Sequence, residues 1–239
     1  MLSTTTRGLI KRPFNLKETS CTIITEKKEF FDVATSAIIR HREELEEYIQ
    51  GHPEFQFSLA PFRTEDAPES VRRMAEAGSQ AGVGPMAAVA GVIADLAVEE
   101  MLIAGAKVAV VEDGGEASLA SDRTIDIALK AGESELSRRI GFRFNDFPIG
   151  VATSSGLYSH ALSFGKAEAA TIFAVNAGIA DAAATAVGNV ILGDDVEAVI
   201  EKGLQVGLNV KGVQGVFIIY RGKVGTGGKL PQMIGVKPE

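Results

Sequence analysis

Two stretches of this 239-residue chain are nearly free of charge, and they constrain its fold more than any other feature. Val83 to Ala94 holds no charged residue, and Ile179 to Leu192 holds only Asp181. A helix without a wet face is buried on most sides, so both segments belong between other elements. The first opens its helix at Pro85, where proline suits the first helical position, and runs to about Ile103. Its apolar run, Ala81 to Ala94, is broken by Gly and Pro and stopped by Asp95, short of the ~20 residues that cross a bilayer. The two segments also echo each other. Ile93-Ala94-Asp95-Leu96-Ala97 recurs as Ile179-Ala180-Asp181-Ala182-Ala183, and each helical region leads on to a hydrophobic strand. The echo predicts two related helix–strand units facing each other within one duplicated domain.

The remaining elements are bunched rather than strictly alternating, which predicts an α+β fold instead of a doubly wound parallel sheet. Arg12 to Lys27 reads as two short strands with a turn at Thr19-Ser20. Glu29 to Gln50 reads as an amphipathic helix with Phe30, Val33, Ala37 and Ile38 inward, ended by Gly51-His52-Pro53. Phe55 to Leu59 reads as a strand, and Pro68 begins a helix through Ala77. Lys107 to Val111 is a strand, Gly114-Gly115 a turn, and two or three strands follow up to Thr153. Ala170 to Val175 is a strand, and Asp194-Asp195 caps a helix to about Val206. Val213 to Tyr220 and Lys223 to Gly225 form a hairpin around Arg221-Gly222, and the tail beyond is expected to be loose.

The net charge of −7 and pI near 5.2 leave no basic stripe to neutralise phosphates, so no nucleic-acid partner is expected. The most basic run, Ser137 to Arg143, reads as a solvated strand edge. Cys21 is the single cysteine, which excludes an intrachain disulfide and suits a reducing cytoplasm. The first seven residues lack the apolar region of a signal peptide, and a cytoplasmic location is expected. Cys21, among Thr and Ile, reads as a buried strand residue rather than a sulfur carrier.

The chemistry concentrates between Gly150 and Asn189. Asp181 and Thr185 are four apart on a helix and share a face, offering two hard oxygens of the kind Mg²⁺ takes. An acid there also suits the dipole at the start of its own helix. His160 follows a small-residue loop and could serve as a general base or as a hydrogen-bonded structural residue. His41 and His52, on a charged helix and its terminating loop, read as surface residues. Thr153-Ser154-Ser155 offers hydroxyls and backbone N–H groups to a phosphate, and Gly114-Gly115 lets a ligand approach the backbone. No Rossmann or P-loop glycine pattern, zinc-ligand spacing or Gly-x-Ser-x-Gly elbow occurs.

In sequence order these segments resemble the ApbE family, flavin transferases that use FAD and Mg²⁺ to attach FMN to a protein threonine. The matching stretches are Ala90 to Asp95, Val111 to Glu116, Val151 to Gly156, Ser159-His160 and Ala180 to Thr185. The resemblance implies an α+β ApbE-like fold, with duplicated helix–strand units packed as layered mixed or antiparallel sheets with helices. It implies one domain over 1–239, divided into N-terminal strands and helix at 1–83, the matching region at 84–190, and a helix and hairpin at 191–239. It further implies Asp181 and Thr185 as metal ligands and His160 beside the reacting phosphate. Gly114, Gly115, Thr153, Ser154 and Ser155 would then line a flavin dinucleotide site. Where the transferases carry Ala-Lys-Gly this chain has Ala88-Val89-Ala90-Gly91, and their Gly-Gly-Asp is Gly114-Gly115-Glu116.

Over nearly its whole length the chain is similar to a smaller ApbE-like family, UPF0280, found in archaea and some bacteria. Its hallmarks here are Gly82 to Gly91 and Glu112 to Gly115. The activity expected from these resemblances is a Mg²⁺-dependent flavin or nucleotide transferase. Two other readings stand beside it: a non-catalytic accessory protein in sulfur assimilation toward homocysteine, with which the smaller family is associated, and a structural homo-oligomer packed through the small-residue helices.

Overall fold

The computed structural model describes residues 8–128, 139–155 and 166–236. The chain builds two successive hairpin–helix–hairpin units. In the first, β1 (Ile10–Leu16) and β2 (Thr19–Thr25) lead into α1 (Lys28–Gly51), α2 (Pro53–Phe57), α3 (Glu69–Ala81) and α4 (Val89–Ile103), then β3 (Val108–Asp113) and β4 (Glu116–Ser121). A 3-10 turn at Pro85–Ala88 precedes α4. In the second, β7 (Ile149–Ser154) and β8 (Ala169–Ala174) lead through α5 (Ala177–Val190) and α6 (Val196–Asn209) to β9 (Val213–Tyr220) and β10 (Lys223–Gly228).

All eight strands join one antiparallel sheet in the order β1-β2-β3-β4-β7-β8-β9-β10, so the two units meet at the β4–β7 seam. This is the duplication that the repeated Ile-Ala-Asp foreshadows. A smaller antiparallel sheet, ordered β11-β6-β5, is made of β11 (Gln232–Gly235), β6 (Ile140–Phe144) and β5 (Ile125–Ala128).

The large sheet is buried on both faces, which explains why β3 reads Val-Ala-Val-Val without polar alternation. Val108, Val110, Leu119 and Val151 face the small sheet, where Phe142 packs on Phe173 and Phe217 with ring centroids 4.8 and 5.5 Å apart. The opposite face carries Ile23, Ala109 and Val111 against α1 and α4, and Ala152, Ile172 and Ile218 against α5 and α6. Among the described residues, no single helix is long and apolar enough to cross a membrane.

Several expectations are corrected. The first hairpin turns at Lys17-Glu18, not Thr19-Ser20: Leu16 pairs with Thr19, and Lys17 takes a φ of 51°. Phe55 to Leu59 is no strand; Pro53 starts the short helix α2, whose one turn buries Phe55 completely. Four strands, not two or three, lie between Gly115 and Thr153. Arg143 is on the central strand of the small sheet rather than an edge, with its guanidinium held by Asp126 at 2.7 and 2.8 Å. His41 is buried, its two ring nitrogens 3.0 Å from Glu44 and 3.1 Å from Glu100. The tail is not loose throughout, because residues 232–235 pair with β6.

Candidate functional site

Helices α4 and α5 meet at their N-terminal ends, and glycines make the approach possible. A Cβ on Gly91 would lie 2.3 Å from the carbonyl oxygen of Ala177, and one on Gly150 would lie 2.0 Å from the carbonyl carbon of Asn176. The first N–H groups of any helix lack partners within it. Here each helix supplies an acid to the other. Asp95 of α4 accepts from the backbone N–H of Ala177 at 2.9 Å and of Gly178 at 2.8 Å, and from the Ser118 hydroxyl at 2.7 Å. Asp181 of α5 accepts from the backbone N–H of Gly91 at 3.0 Å. Asp181 therefore answers the positive end of α4; in its own helix, which starts at Ala177, it lies beyond the first turn, contrary to the expectation of a first-turn acid.

The strand beside them decides how the two acids differ. Side chains alternate along β4, so Glu116 and Ser118 share the face turned toward α4 and α5, while Ala117 and Leu119 face the small sheet. Ser118 meets Asp95, whereas Glu116 acts on Asp181. Burial pushes the Glu116 carboxyl up to about 7, reinforced by the charges of Asp113 and Glu112, although it accepts from the Gly115 N–H at 3.1 Å. Burial, then the charges of Glu116, Asp113 and Asp95, pushes Asp181 well above the ordinary carboxylate range, against the Gly91 hydrogen bond. Asp95 rises to about 6, burial outweighing its three hydrogen bonds.

The residues singled out in the sequence fall as follows. Gly114, at φ 70°, and Gly115 form the β3–β4 turn. Gly115 lies against β7: its carbonyl accepts from the Thr153 N–H at 3.1 Å, and a Cβ on it would meet the Thr153 carbonyl at 2.8 Å. Gly114-Gly115, Thr153-Ser154-Ser155 and Glu116 thus share one end of the β4–β7 seam. The Thr153 hydroxyl bonds that of Thr171 at 3.0 Å on the small-sheet face, so the backbone of Thr153, not its side chain, joins Gly115. Ser154 alternates to the helix face. Thr185 is half-buried one helical turn beyond Asp181. His160 lies outside the described residues. Cys21 is buried, and burial followed by the charge of Asp113 pushes its thiol up to about 12, which leaves it inert as a nucleophile.

Carboxylates whose main influences are burial and one another suit a hard cation, which reverses that repulsion. Asp181, Thr185 and Glu116 are oxygen donors of the type Mg²⁺ takes. Among the described residues no three His, Cys, Asp or Glu side chains form a metal-binding group by themselves.

The architecture is that of the ApbE flavin transferases. The ApbE protein of Thermotoga maritima superposes with a TM-score of 0.55 at 13% identity, covering 91% of this chain and 96% of that one. The apo flavinyl transferase ApbE of Pseudomonas stutzeri superposes with a TM-score of 0.52 at 15% identity, covering 92% and 94%. The family model described as "AbpE bacteria" matches residues 7–226. A UPF0280 protein of Methanosarcina acetivorans is 44% identical over 95% of this chain and 90% of its own length. The chain belongs to the UPF0280 family within this fold.

Proposed function

We propose that the protein binds a flavin dinucleotide with Mg²⁺ at the β4–β7 seam and catalyses cleavage of its pyrophosphate. What supports this reading is the electrostatic influence of Glu116 on Asp181 where α5 packs on β4, with Glu116 next to the Gly114-Gly115 turn and paired with the end of β7. Asp181 and Thr185, helped by Glu116, would hold the metal, and the metal would neutralise charge on the pyrophosphate. The Gly114-Gly115 turn and the Thr153-Ser154-Ser155 end of β7 would line the nucleotide site. His160 would accept the proton of the attacking hydroxyl as that oxygen bonds to the FMN phosphorus and AMP departs.

Incubation of the pure protein with FAD and Mg²⁺, followed by chromatography for AMP and mass spectrometry for a flavinylated peptide, tests the reading. AMP release that disappears in Asp181→Ala is expected. Absence of both FAD binding and AMP release would overturn it.

Val89, where the transferases carry lysine, favours a second reading. In it the site binds the dinucleotide without passing FMN to a protein, as an accessory protein would. Saturable FAD binding with no AMP selects that reading. A sulfur-carrying role for Cys21 has no support from its buried position.

A further inference from the structure

Asp95 touches the two elements that bear the paired carboxylates, and it does so within one helical turn or two strand positions of each. Its Oδ1 accepts from Ser118, which follows Glu116 by two residues on the same face of β4. The same oxygen accepts from Ala177, and Oδ2 accepts from Gly178, three residues before Asp181 on α5. Asp95 itself is 7% exposed, and its helix is pressed on α5 at Gly91, where there is no room for a Cβ. The start of α5 is likewise seated on β7 at Gly150. Apolar contact alone allows α5 to slide against β4; three directional hydrogen bonds to one buried carboxylate do not.

We propose that Asp95 is a positioning residue, which fixes the separation between Glu116 and Asp181 by fastening β4 and the first amides of α5 to a single carboxylate. The proposal rests on the reading of Asp181 and Glu116 as the metal-facing pair, and it concerns the fastening beneath them. Asparagine at 95 keeps the size but turns one acceptor into an –NH₂ group. That group would face either the Gly178 N–H or the Ala177 N–H as donor against donor, whereas the Ser118 hydroxyl can turn to accept from it. Alanine at 118 is milder, because it removes the tie to β4 and leaves both amide bonds in place.

The Gly91 amide reports the outcome without any metal, since it donates to Asp181 from across the helix pair. The experiment compares wild type with Ser118→Ala and Asp95→Asn. It reads backbone amide resonances by nuclear magnetic resonance, and Mn²⁺ alone as the metal probe by electron paramagnetic resonance. In both variants the Gly91 amide resonance is expected to move and to exchange faster with solvent. Mn²⁺ binding should weaken by about tenfold or more in Asp95→Asn, and less in Ser118→Ala, as when an outer partner of a metal ligand is lost. A Gly91 amide that stays put in both variants, while Ala177 and Gly178 move, overturns the proposal and leaves Asp95 a simple cap. Should wild type fail to bind Mn²⁺, the metal reading falls, and the Gly91 amide still decides the role of Asp95. Because Ser118→Ala removes a single hydroxyl, the test survives an Asp95→Asn variant that does not fold.

Discussion

Asp95 and Asp181 occupy corresponding places on two helices that cross near their N-termini, yet one is at rest and the other is not. Asp95 is buried with three donors around its carboxylate and a serine for its strand neighbour. Asp181 accepts one backbone N–H of the partner helix, is largely buried, and has Glu116, Asp113 and Asp95 as its principal charged influences. The same backbone device therefore produces a fastening on one side and two mutually repelling carboxyl groups on the other. The residue two positions apart on β4, Ser118 or Glu116, makes the difference. A recess of about 190 Å³ does open beside Asp95, but its Arg73 is already held by Glu69 and Glu99, so that side has no free counter-charge to offer.

The glycines of the crossing give the sharpest way to break the symmetry. A Cβ at Gly91 would meet backbone atoms of Ala177 and Gly178 at 2.3–2.8 Å, whereas one at Gly178 would meet first the Val92 Cγ2 at 2.6 Å, a side-chain tip that can rotate away. Gly91→Ala is expected to cost about 3 kcal/mol or more in urea unfolding, and Gly178→Ala about 1 kcal/mol. Equal losses would show that the two sides are equally tight.

The second test acts on the charge difference. The Glu116 carboxyl rises from 4.5 to about 7 in the folded state, so between those values the folded protein binds the extra proton. Stability from this group is full below about pH 4.5 and is lost as pH rises through about 7, by up to about 3 kcal/mol. Glu116→Gln should flatten that decline between pH 5 and 8. Saturating Mg²⁺ should restore stability to wild type at pH 8, and do so less in the variant. Parallel pH profiles for wild type and variant would remove Glu116 from the site.

The smallest effect concerns Cys21. Its thiol should react with Ellman's reagent in the native protein at least about a hundredfold more slowly than after unfolding, given its burial and raised pKa. Rapid native labelling would place it at an accessible surface.

The sequence made some of this legible and hid the rest for identifiable reasons. The Ile-Ala-Asp echo pointed to both crossing helices, because helices without a polar face must be enclosed and a repeated acid within them needs a repeated reason. The Asp195 cap was equally plain; its side chain accepts from the Ala198 N–H. Glu116 did not stand out as a site residue, since which face it shares depends on the β4–β7 register, set by residues 30 to 36 positions away. Asp181 could be read as an ordinary first-turn acid, because the Gly91 amide that it accepts from is 90 residues distant. Phe55 and Phe57 alternate like strand residues, but two aromatics are too few to distinguish that spacing from one turn of helix after a proline.

The small sheet carries a consequence for the order of assembly. Its central strand, β6, has β5 on one side and β11 on the other, with Met233 opposite Phe142. Both halves of the large sheet, hairpins and helices included, precede β11 in the chain. A chain whose β11 has not yet docked shows unpaired backbone on one side of β6, a ready template for strands of neighbouring molecules. Docking of residues 232–235 closes that side, which makes β11 a guard against edge-to-edge association.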